Sequence, residues 1–374
     1  MFRFDRRLFA SFDWVMVILL LLICGMALFN LYSASYPPKT WGIPPYLKQC
    51  YFFLLGFVVI IFILFFDYQE LYNWNWLFYA IVIGLLIAIL IVGKTAGGSQ
   101  RWISLGFFNL QPSELAKLML VISLASYYSG REVTDGYTPV QLIMPILLTT
   151  VPFLLILIQP DLGTALMLLF IAVSMTLFVK LRLSVYGLLG GGSIGCVYLA
   201  WNYLLKPYQK QRVLTFLNPE QDPMGHGYHI IQSKIAVGSG GQFGKGYLEG
   251  TQSHLHFLPE RHTDFAFAVW CEEWGFFGSL FFIGIYFFFL VWALYTSIYA
   301  RDRFGVLLSF GIVMLIFWQA IINLMMILGF LPVVGIPLPL VSYGGSSLLT
   351  TLAAIGILLN VRMRRFQGKM AAGE

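Results

Sequence analysis

The chain has 374 residues; 59% are hydrophobic, 11% are charged, and the mean hydropathy is +0.79. Ordinary soluble domains are about 25% charged, so this composition excludes a water-soluble fold and predicts an all-α polytopic membrane protein. The net charge of +6 has no basic face with interleaved aromatics in a soluble segment behind it, which excludes nucleic acid as a partner and assigns the charge to topology and lipid headgroups.

Apolar stretches of about 17–25 residues mark membrane spans. In chain order they predict about ten transmembrane helices, near residues 14–33, 50–66, 75–93, 113–129, 139–158, 163–180, 184–205, 272–299, 305–330 and 341–361. The first run follows Arg3, Arg6 and Arg7. It is longer than the roughly 7–15 residues of a signal-peptide core, so it reads as a retained span despite the Ser33-Ala34-Ser35 behind it. The fourth is short and carries Glu114 and Lys117, three apart on one helical face. Neither side chain is tolerated facing lipid. The two read as an ion pair that fastens the bundle and lines a polar cavity. Between the fifth and sixth spans Gln159-Pro-Asp-Leu-Gly163 is a tight turn, where Asp161 can cap the following helix or meet a substrate. Gly187, Gly191 and Gly195 repeat every four residues in the seventh span and predict close helix packing.

Residues 206–264 form a large loop between the seventh and eighth spans. It holds all five histidines and eight glycines. A long polar loop between two spans is more often functional than connective. Tyr228, Ile231 and Ile235 predict an amphipathic helix at the membrane interface. Gly238-Ser-Gly-Gly-Gln-Phe-Gly-Lys-Gly246 fails as a Walker A loop, because Gly246 stands where a Ser or Thr must follow the lysine. It reads either as a turn or as a cradle in which backbone N–H groups and Lys245 hold a lipid diphosphate. His226-x-x-His229 and His254-x-His256 lack a third acidic ligand, so no resident metal is expected. Cys24, Cys50, Cys196 and Cys271 form no CxxC pair and read as small buried residues.

The loop ends in Leu258-Pro-Glu-Arg-His-Thr-Asp-Phe265. This stretch places Glu260, Arg261, His262 and Asp264 where polar sequence meets an apolar span. A carboxylate there is costly unless it is paired, hydrated or used. Ahead of the last span, Pro332, Pro337 and Pro339 bar a helix and predict a re-entrant stretch packed against protein.

Lys and Arg fix the orientation. If the N-terminus is inside, the inner segments hold Arg3, Arg6, Arg7, Arg131, Lys180, Arg182, Arg301, Arg303, Arg362, Arg364, Arg365 and Lys369. The short outer loops hold only Lys39, Lys48, Lys94 and Arg101. Both termini are therefore expected in the cytoplasm and the 206–264 loop outside, within one integral membrane domain spanning 1–374.

Several stretches together resemble the shape, elongation, division and sporulation (SEDS) family. They are Arg101-Trp102, Gln111-Pro-Ser-Glu-Leu-Ala-Lys117, Gln159-Pro-Asp-Leu-Gly163, Tyr228-His-Ile-Ile-Gln-Ser-Lys-Ile-Ala-Val-Gly-Ser-Gly-Gly241, Gly250-Thr-Gln-Ser253, the Leu258–Phe265 segment, and Leu331-Pro-Val-Val-Gly-Ile-Pro-Leu-Pro-Leu-Val-Ser-Tyr-Gly-Gly-Ser346. Gln232-Ser-Lys-Ile-Ala, and Arg261 beside His262, resemble the elongation branch more than the division branch.

The resemblance implies a peptidoglycan glycosyltransferase of the bacterial cytoplasmic membrane that polymerises lipid II at the outer face. It implies a class B penicillin-binding protein and other elongation-complex proteins as partners, and it matches Asp264 to the family's essential aspartate. On the same matches Arg101, Trp102, Glu114, Lys117, Asp161, Gln232, Ser233, Glu260, Arg261, His262, Thr263, Ser342 and Ser346 are expected to bind substrate or support the site, and Arg212 and Lys245 join them as cations of the long loop.

The chemistry fits these residues. A sugar already activated by a lipid diphosphate needs no nucleotide site. An α-linked donor that becomes a β-1,4 glycoside inverts in one displacement. That step needs one general base, for which Asp264 is the candidate, and cations for the departing diphosphate, for which Lys245, Arg212, Arg261 and Lys117 are candidates. No cofactor is required, although a divalent cation, Mg or Mn, can accompany the diphosphate. The alternative is a lipid II flippase, which would need polar residues at several depths from the inner face; here they cluster outside. A recruiting scaffold leaves the polar groups around Asp264 unexplained.

Overall fold

The computed structural model describes residues 12–36, 43–92, 94–96, 99–104, 109–131, 133, 135–204, 207–219, 226–255, 257–258 and 260–366. Arg3, Arg6, Arg7, Lys39, His256 and Lys369, and the side chains of Lys94, Cys196, His226 and His254, lie outside the described residues.

A helix covers each predicted apolar stretch. In chain order these are α1 (Trp14–Ala34), α2 (Pro45–Phe65), a short α3 (Gln69–Asn73), α4 (Asn75–Val92), α5 (Pro112–Ser129), α6 (Ile143–Ile158), α7 (Leu162–Phe178) and α8 (Leu183–Leu199). The long loop contributes α9 (Pro207–Leu217), α10 (His226–Ser239) and α11 (Thr251–His254), and the chain closes with α12 (Ala266–Ile298), α13 (Arg303–Ile327) and α14 (Gly345–Met363). Length and composition mark α1, α2, α6 with its leading 3-10 turn, α12, α13 and α14 as able to cross a membrane, and α4 and α7 as shorter apolar helices. The protein is a multi-pass membrane protein.

Local chemistry sets the helix starts. Asp13 accepts the Met16 N–H at 3.1 Å to cap α1. Asp302 accepts the Gly305 N–H at 2.8 Å to cap α13. Asp161 accepts both the N–H (3.2 Å) and the hydroxyl (2.9 Å) of Thr164, so its capping role at α7 is realised. Proline opens α2 and α5, where its missing N–H costs nothing.

The core is built on α5, α13 and α14. The last packs along α2; α13 packs against α5, α7 and α12. Buried amides tie elements together: Asn360 donates to the carbonyls of Ile63 (2.7 Å) and Phe66 (2.6 Å), and Gln49 to that of Ser342 (3.1 Å). The proline-rich stretch after α13 is non-helical and packed, with Leu338, Leu340 and Val341 each 1% exposed.

Three findings depart from the sequence reading. First, a small antiparallel sheet stands between α4 and α5, with β1 (Lys94–Ala96), β2 (Ser99–Ser104) and β3 (Asn109–Leu110) in that order. Second, α12 starts at Ala266, six residues before the predicted span: at 33 residues, bent at Gly275, it is longer than the single membrane-crossing length that the prediction allotted. Its two carboxylates are buried and bonded, Glu272 to the Lys245 Nζ at 2.7 Å and Glu273 to the Ser33 hydroxyl. Third, Gly187, Gly191 and Gly195 do not mediate close packing: a Cβ at any of them would meet nothing within 4 Å, and most described α8 side chains are exposed.

The glycine loop 238–246 has a structural task. Gly275 bends α12 with φ +65°, and residues 241–246 wedge into the bend. Phe276 and Phe277 N–H groups bond the carbonyls of Gly241 (2.9 Å) and Gln242 (3.1 Å); Lys245 and Gly246 N–H groups bond those of Glu272 (3.0 Å) and Glu273 (3.1 Å). A Cβ on Gly244 would lie 2.0 Å from the Glu273 oxygen, so only glycine fits. With these donors and the Lys245 ammonium already bonded, the diphosphate-cradle reading of this loop gives way to a clamp on the bend.

Candidate active site

One end of the bundle encloses a cavity of about 1310 Å³. Its wall comes from the start of α2 (Lys48, Tyr51, Phe52), β2 (Arg101, Trp102) and the first turns of α5 (Glu114, Lys117). The start of α7 (Asp161, Thr164), α9 (Arg212), the turn before α12 (Glu260, Thr263, Asp264) and residues 335–347, including Ser346, complete it. Ten of the residues predicted from sequence thus share one space: Arg101, Trp102, Glu114, Lys117, Asp161, Arg212, Glu260, Thr263, Asp264 and Ser346.

The first turns of α5 supply the most buried polar wall. Lys117 Nζ lies 2.8 Å from Glu114 Oε1, with side chains 2% and 6% exposed, so the predicted intramembrane pair is present and lines the cavity. Arg101 reaches across to the α6–α7 turn. Its Nη1 is 3.8 Å from Asp161 Oδ1, its Nε donates to the Gln159 carbonyl at 3.4 Å, and its Nη2 donates to the Pro160 carbonyl. Gln111 links the same region to the last helix: its N–H donates to Ser346 Oγ at 3.0 Å and its side chain to Asp161 Oδ2 at 3.4 Å.

Asp264 is presented by a tight turn. The N–H groups of Thr263 and Phe265 both bond the Glu260 carbonyl, at 3.1 and 3.3 Å, and the Thr263 hydroxyl donates to Glu260 Oε2 at 3.1 Å. The turn holds Glu260 at φ +48°, a conformation that non-glycine residues adopt at some cost. The carboxyl of Asp264 is enclosed by protein and open to the cavity. Desolvation, reinforced by Glu260 and opposed by Arg212, pushes its pKa up to about 6.

The described lining carries four cations (Lys48, Arg101, Lys117 and Arg212) and four carboxylates (Glu114, Asp161, Glu260 and Asp264). Lys117 and Arg101 are paired with carboxylates. Among the described residues, Lys48 and Arg212 line the cavity without an ion pair; Arg212 donates only to the Val333 carbonyl at 3.4 Å. No group of three or more His, Cys, Asp or Glu that could hold a metal occurs among the described residues.

Six predicted site residues are placed elsewhere. Lys245 bonds Glu272 and Thr251 at 2.7 and 2.8 Å on the α12 clamp. Ser233 caps the end of α13 by donating to the Ile327 carbonyl at 2.8 Å, and Gln232 is its neighbour on α10. Ser342 accepts the Leu338 N–H at 2.9 Å inside the proline-rich stretch. The His262 carbonyl accepts the Tyr343 N–H at 2.8 Å. Arg261 is 7% exposed, and burial lowers its pKa. These residues support the walls rather than line them. Conversely, Lys48, Gln111 and Thr164 line the cavity although the sequence reading gave them no site role. Lys48 entered only the charge count of an outer loop.

The sequence profile of the FtsW/RodA/SpoVE cell-cycle protein family matches residues 13–367. The Escherichia coli K12 peptidoglycan glycosyltransferase MrdB is 41% identical over 302 residues, covering 78% of this chain and 79% of that protein. The Treponema pallidum peptidoglycan glycosyltransferase RodA is 33% identical and covers 95% and 98% of the two chains. Among solved structures, a chain from a peptidoglycan synthase complex coordinating polymerization and crosslinking superposes with a TM-score of 0.81 at 34% identity, covering 95% of this chain and 99% of that one. The Thermus thermophilus rod shape determining protein RodA superposes at 0.71 with 31% identity, covering 95% and 98%. With the match running through all of the helices, this chain belongs to the FtsW/RodA/SpoVE (SEDS) family and stands with its RodA branch.

Proposed function

We propose that this protein is an inverting peptidoglycan glycosyltransferase that polymerises lipid II into β-1,4 glycan strands during cell elongation and releases undecaprenyl diphosphate. The observation that carries this reading is the cavity itself. It holds a carboxyl poised to accept a proton near pH 6, Asp264, in the same space as two cations that have no ion pair among the described residues, Lys48 and Arg212.

In the proposed step the acceptor 4-hydroxyl attacks the donor anomeric carbon. Asp264 takes the hydroxyl proton as the new C–O bond forms and the bond to the diphosphate breaks. General-base assistance of this kind contributes typically about 10²–10⁴ in rate. Lys48 and Arg212, with Arg101 and Lys117 behind them, meet the departing negative charge. A divalent cation carried by the diphosphate would add to that charge stabilisation, and the lining carboxylate Glu260 is the oxygen donor suited to it, which leaves Asp264 free to take the proton.

We place the protein in the bacterial cytoplasmic membrane with both termini inside and the cavity facing out. A class B penicillin-binding protein is proposed as its partner, with other elongation-complex proteins around the pair. The cavity favours an enzyme over a flippase. Its deepest lining residue on α5, Lys117, lies five residues from the helix start, about 8 Å at 1.5 Å per residue, whereas a flippase needs a path across the full span.

The test is gel-resolved glycan from purified full-length protein with its cognate penicillin-binding protein and lipid II. Asp264→Asn is expected to lower polymerisation at least about 10²-fold while the complex still forms. Near-normal polymer from this variant would remove Asp264 from the role of base.

A further inference from the structure

The turn that presents Asp264 is anchored by a residue outside the cavity wall. Asn323 lies in the last turn and a half of α13, is 0% exposed, and uses both N–H bonds of its amide. One goes to the backbone carbonyl of Asp264 and the other to that of Ile336, each at 2.8 Å. The two carbonyls belong to the two segments that meet at the carboxyl. Ile336 follows Gly335, which has φ +72° and whose added Cβ would lie 3.5 Å from Asp264 Oδ2. A single side chain therefore ties the carboxylate's own backbone to the segment facing it.

The neighbouring carbonyls are held as well. That of His262 accepts the Tyr343 N–H, and that of Ala266 accepts the Asn30 amide, both at 2.8 Å. Alternate carbonyls at 262, 264 and 266 are thus fixed from three different elements, and Asn323 holds the central one.

We infer that Asn323 is a positioning residue for the glycosyl-transfer step, acting through Asp264 by locking the 260–265 turn to the 335–337 segment. This rests on Asp264 being the base. Asparagine suits the position because its NH₂ offers two donors from one atom on a short stem. Aspartate has the same shape and no N–H, so it would turn two bonds into contacts between acceptors. Leucine fills the volume and leaves both carbonyls unmet.

The experiment measures kcat and KM for lipid II polymerisation by the full-length chain with its penicillin-binding protein, for Asn323→Leu, Asn323→Ser and Asp264→Asn, alone and combined. Leu308→Ala is the stability control: it is buried at the opposite end of the same helix and touches none of these groups. Asn323→Leu is expected to lower kcat between tenfold and about 10²-fold, the loss that misplacement by about 1 Å can bring, with KM within about twofold of the parent. Asn323→Ser, smaller and with one donor left, is expected to show the same split to a lesser degree, and it serves if the leucine variant does not fold. On the Asp264→Asn background Asn323→Leu should cost nothing more, because the group it positions is gone.

Normal kcat in both Asn323 variants would overturn the inference. So would a loss matched by Leu308→Ala at equal melting temperature, or losses that multiply in the double variant. Retained polymer in Asp264→Asn would instead overturn the base assignment, a result the other arms cannot mimic.

Discussion

At the scale of single residues, the site is decided by which way side chains leave a short turn. Glu260, Thr263 and Asp264 line the cavity; Arg261 and His262, from the same turn, do not. Linear order brought all five to notice and could not separate them, because a tight turn sends neighbours in opposite directions. Asp264 was legible because a carboxyl at the edge of a span is conspicuous. Asn323, an equally conspicuous polar residue within α13, went unread because its work is done on backbone carbonyls, which carry no sequence signal. Two outcomes follow from the Asp264 pKa of about 6. The base must be ionised to work, so polymerisation should rise with pH through about 6 and level off above it, whereas an ordinary aspartate, near 3.9, would leave the rate flat across that range. The sign for stability is opposite. A raised carboxyl pKa means that the folded state tolerates the charge poorly, so the penalty is absent below about pH 4, grows through pH 6 and is full above it. Asp264→Asn should therefore raise the melting temperature at pH 8 and have little effect near pH 4. The gain is roughly 1–3 kcal/mol, because a tenfold change in proton affinity is worth about 1.4 kcal/mol and the group faces a hydrated cavity that softens the penalty. Activity profiles and thermal scans at both pH values check the pair; a variant less stable than the parent at pH 8 would contradict the desolvation account.

At the scale of elements, hydropathy located the helices well and missed what polar residues do inside them. The α5 pair was readable because residues three apart share a helical face, and the ammonium and carboxylate meet at 2.8 Å. Breaking a buried pair strands the remaining charge, at about 3–5 kcal/mol. Lys117→Met should therefore lose thermal stability and polymer together, and exchanging the two (Glu114→Lys with Lys117→Glu) should recover stability better than activity. Full activity in Lys117→Met, scored on the same gels, would remove the pair from substrate handling. The start of α12 was misplaced because one membrane-crossing length was counted, whereas the helix runs 33 residues and carries Glu272 and Glu273 ahead of its bend. They are bonded within the protein, and the glycine loop reinforces the bend between them and the rest of the helix. At Gly275, φ is +65° and an added Cβ would lie 2.2 Å from the Gly244 nitrogen. Gly275→Ala should destabilise strongly, by more than the roughly 1 kcal/mol of helix propensity that alanine would gain over glycine, and a melting temperature at or above the parent's would show that the clamp does not constrain the helix. The α8 glycines mark the limit of pattern reading: a small-residue repeat states that close approach is allowed, and none of the described residues approaches.

At the scale of the whole molecule, the question is which side the cavity faces. The segments assigned inside from their Lys and Arg content meet at the end of the bundle opposite the cavity. There Arg303 donates to the Arg131 carbonyl at 2.9 Å, Arg362 lies 3.5 Å from Asp13, and Arg364 lies 3.4 Å from Asp67. The cavity end holds the segments assigned outside, with Lys48 and Arg101 in its wall. On the proposed topology the positive-inside rule would direct the cavity outward, where an acceptor strand could grow without crossing the membrane. A cavity facing the cytoplasm would have to release a growing polymer on the wrong side, and a flippase reading would regain ground. A single cysteine near Pro219, in a background with Cys50 and Cys196 replaced and the buried Cys24 and Cys271 checked for silence, should react with an impermeant maleimide in intact spheroplasts. One near Asp135, at the opposite end, should react only after lysis. The reverse pattern would invert the topology, and with it the outer-face polymerase, whatever the Asp264 variants do.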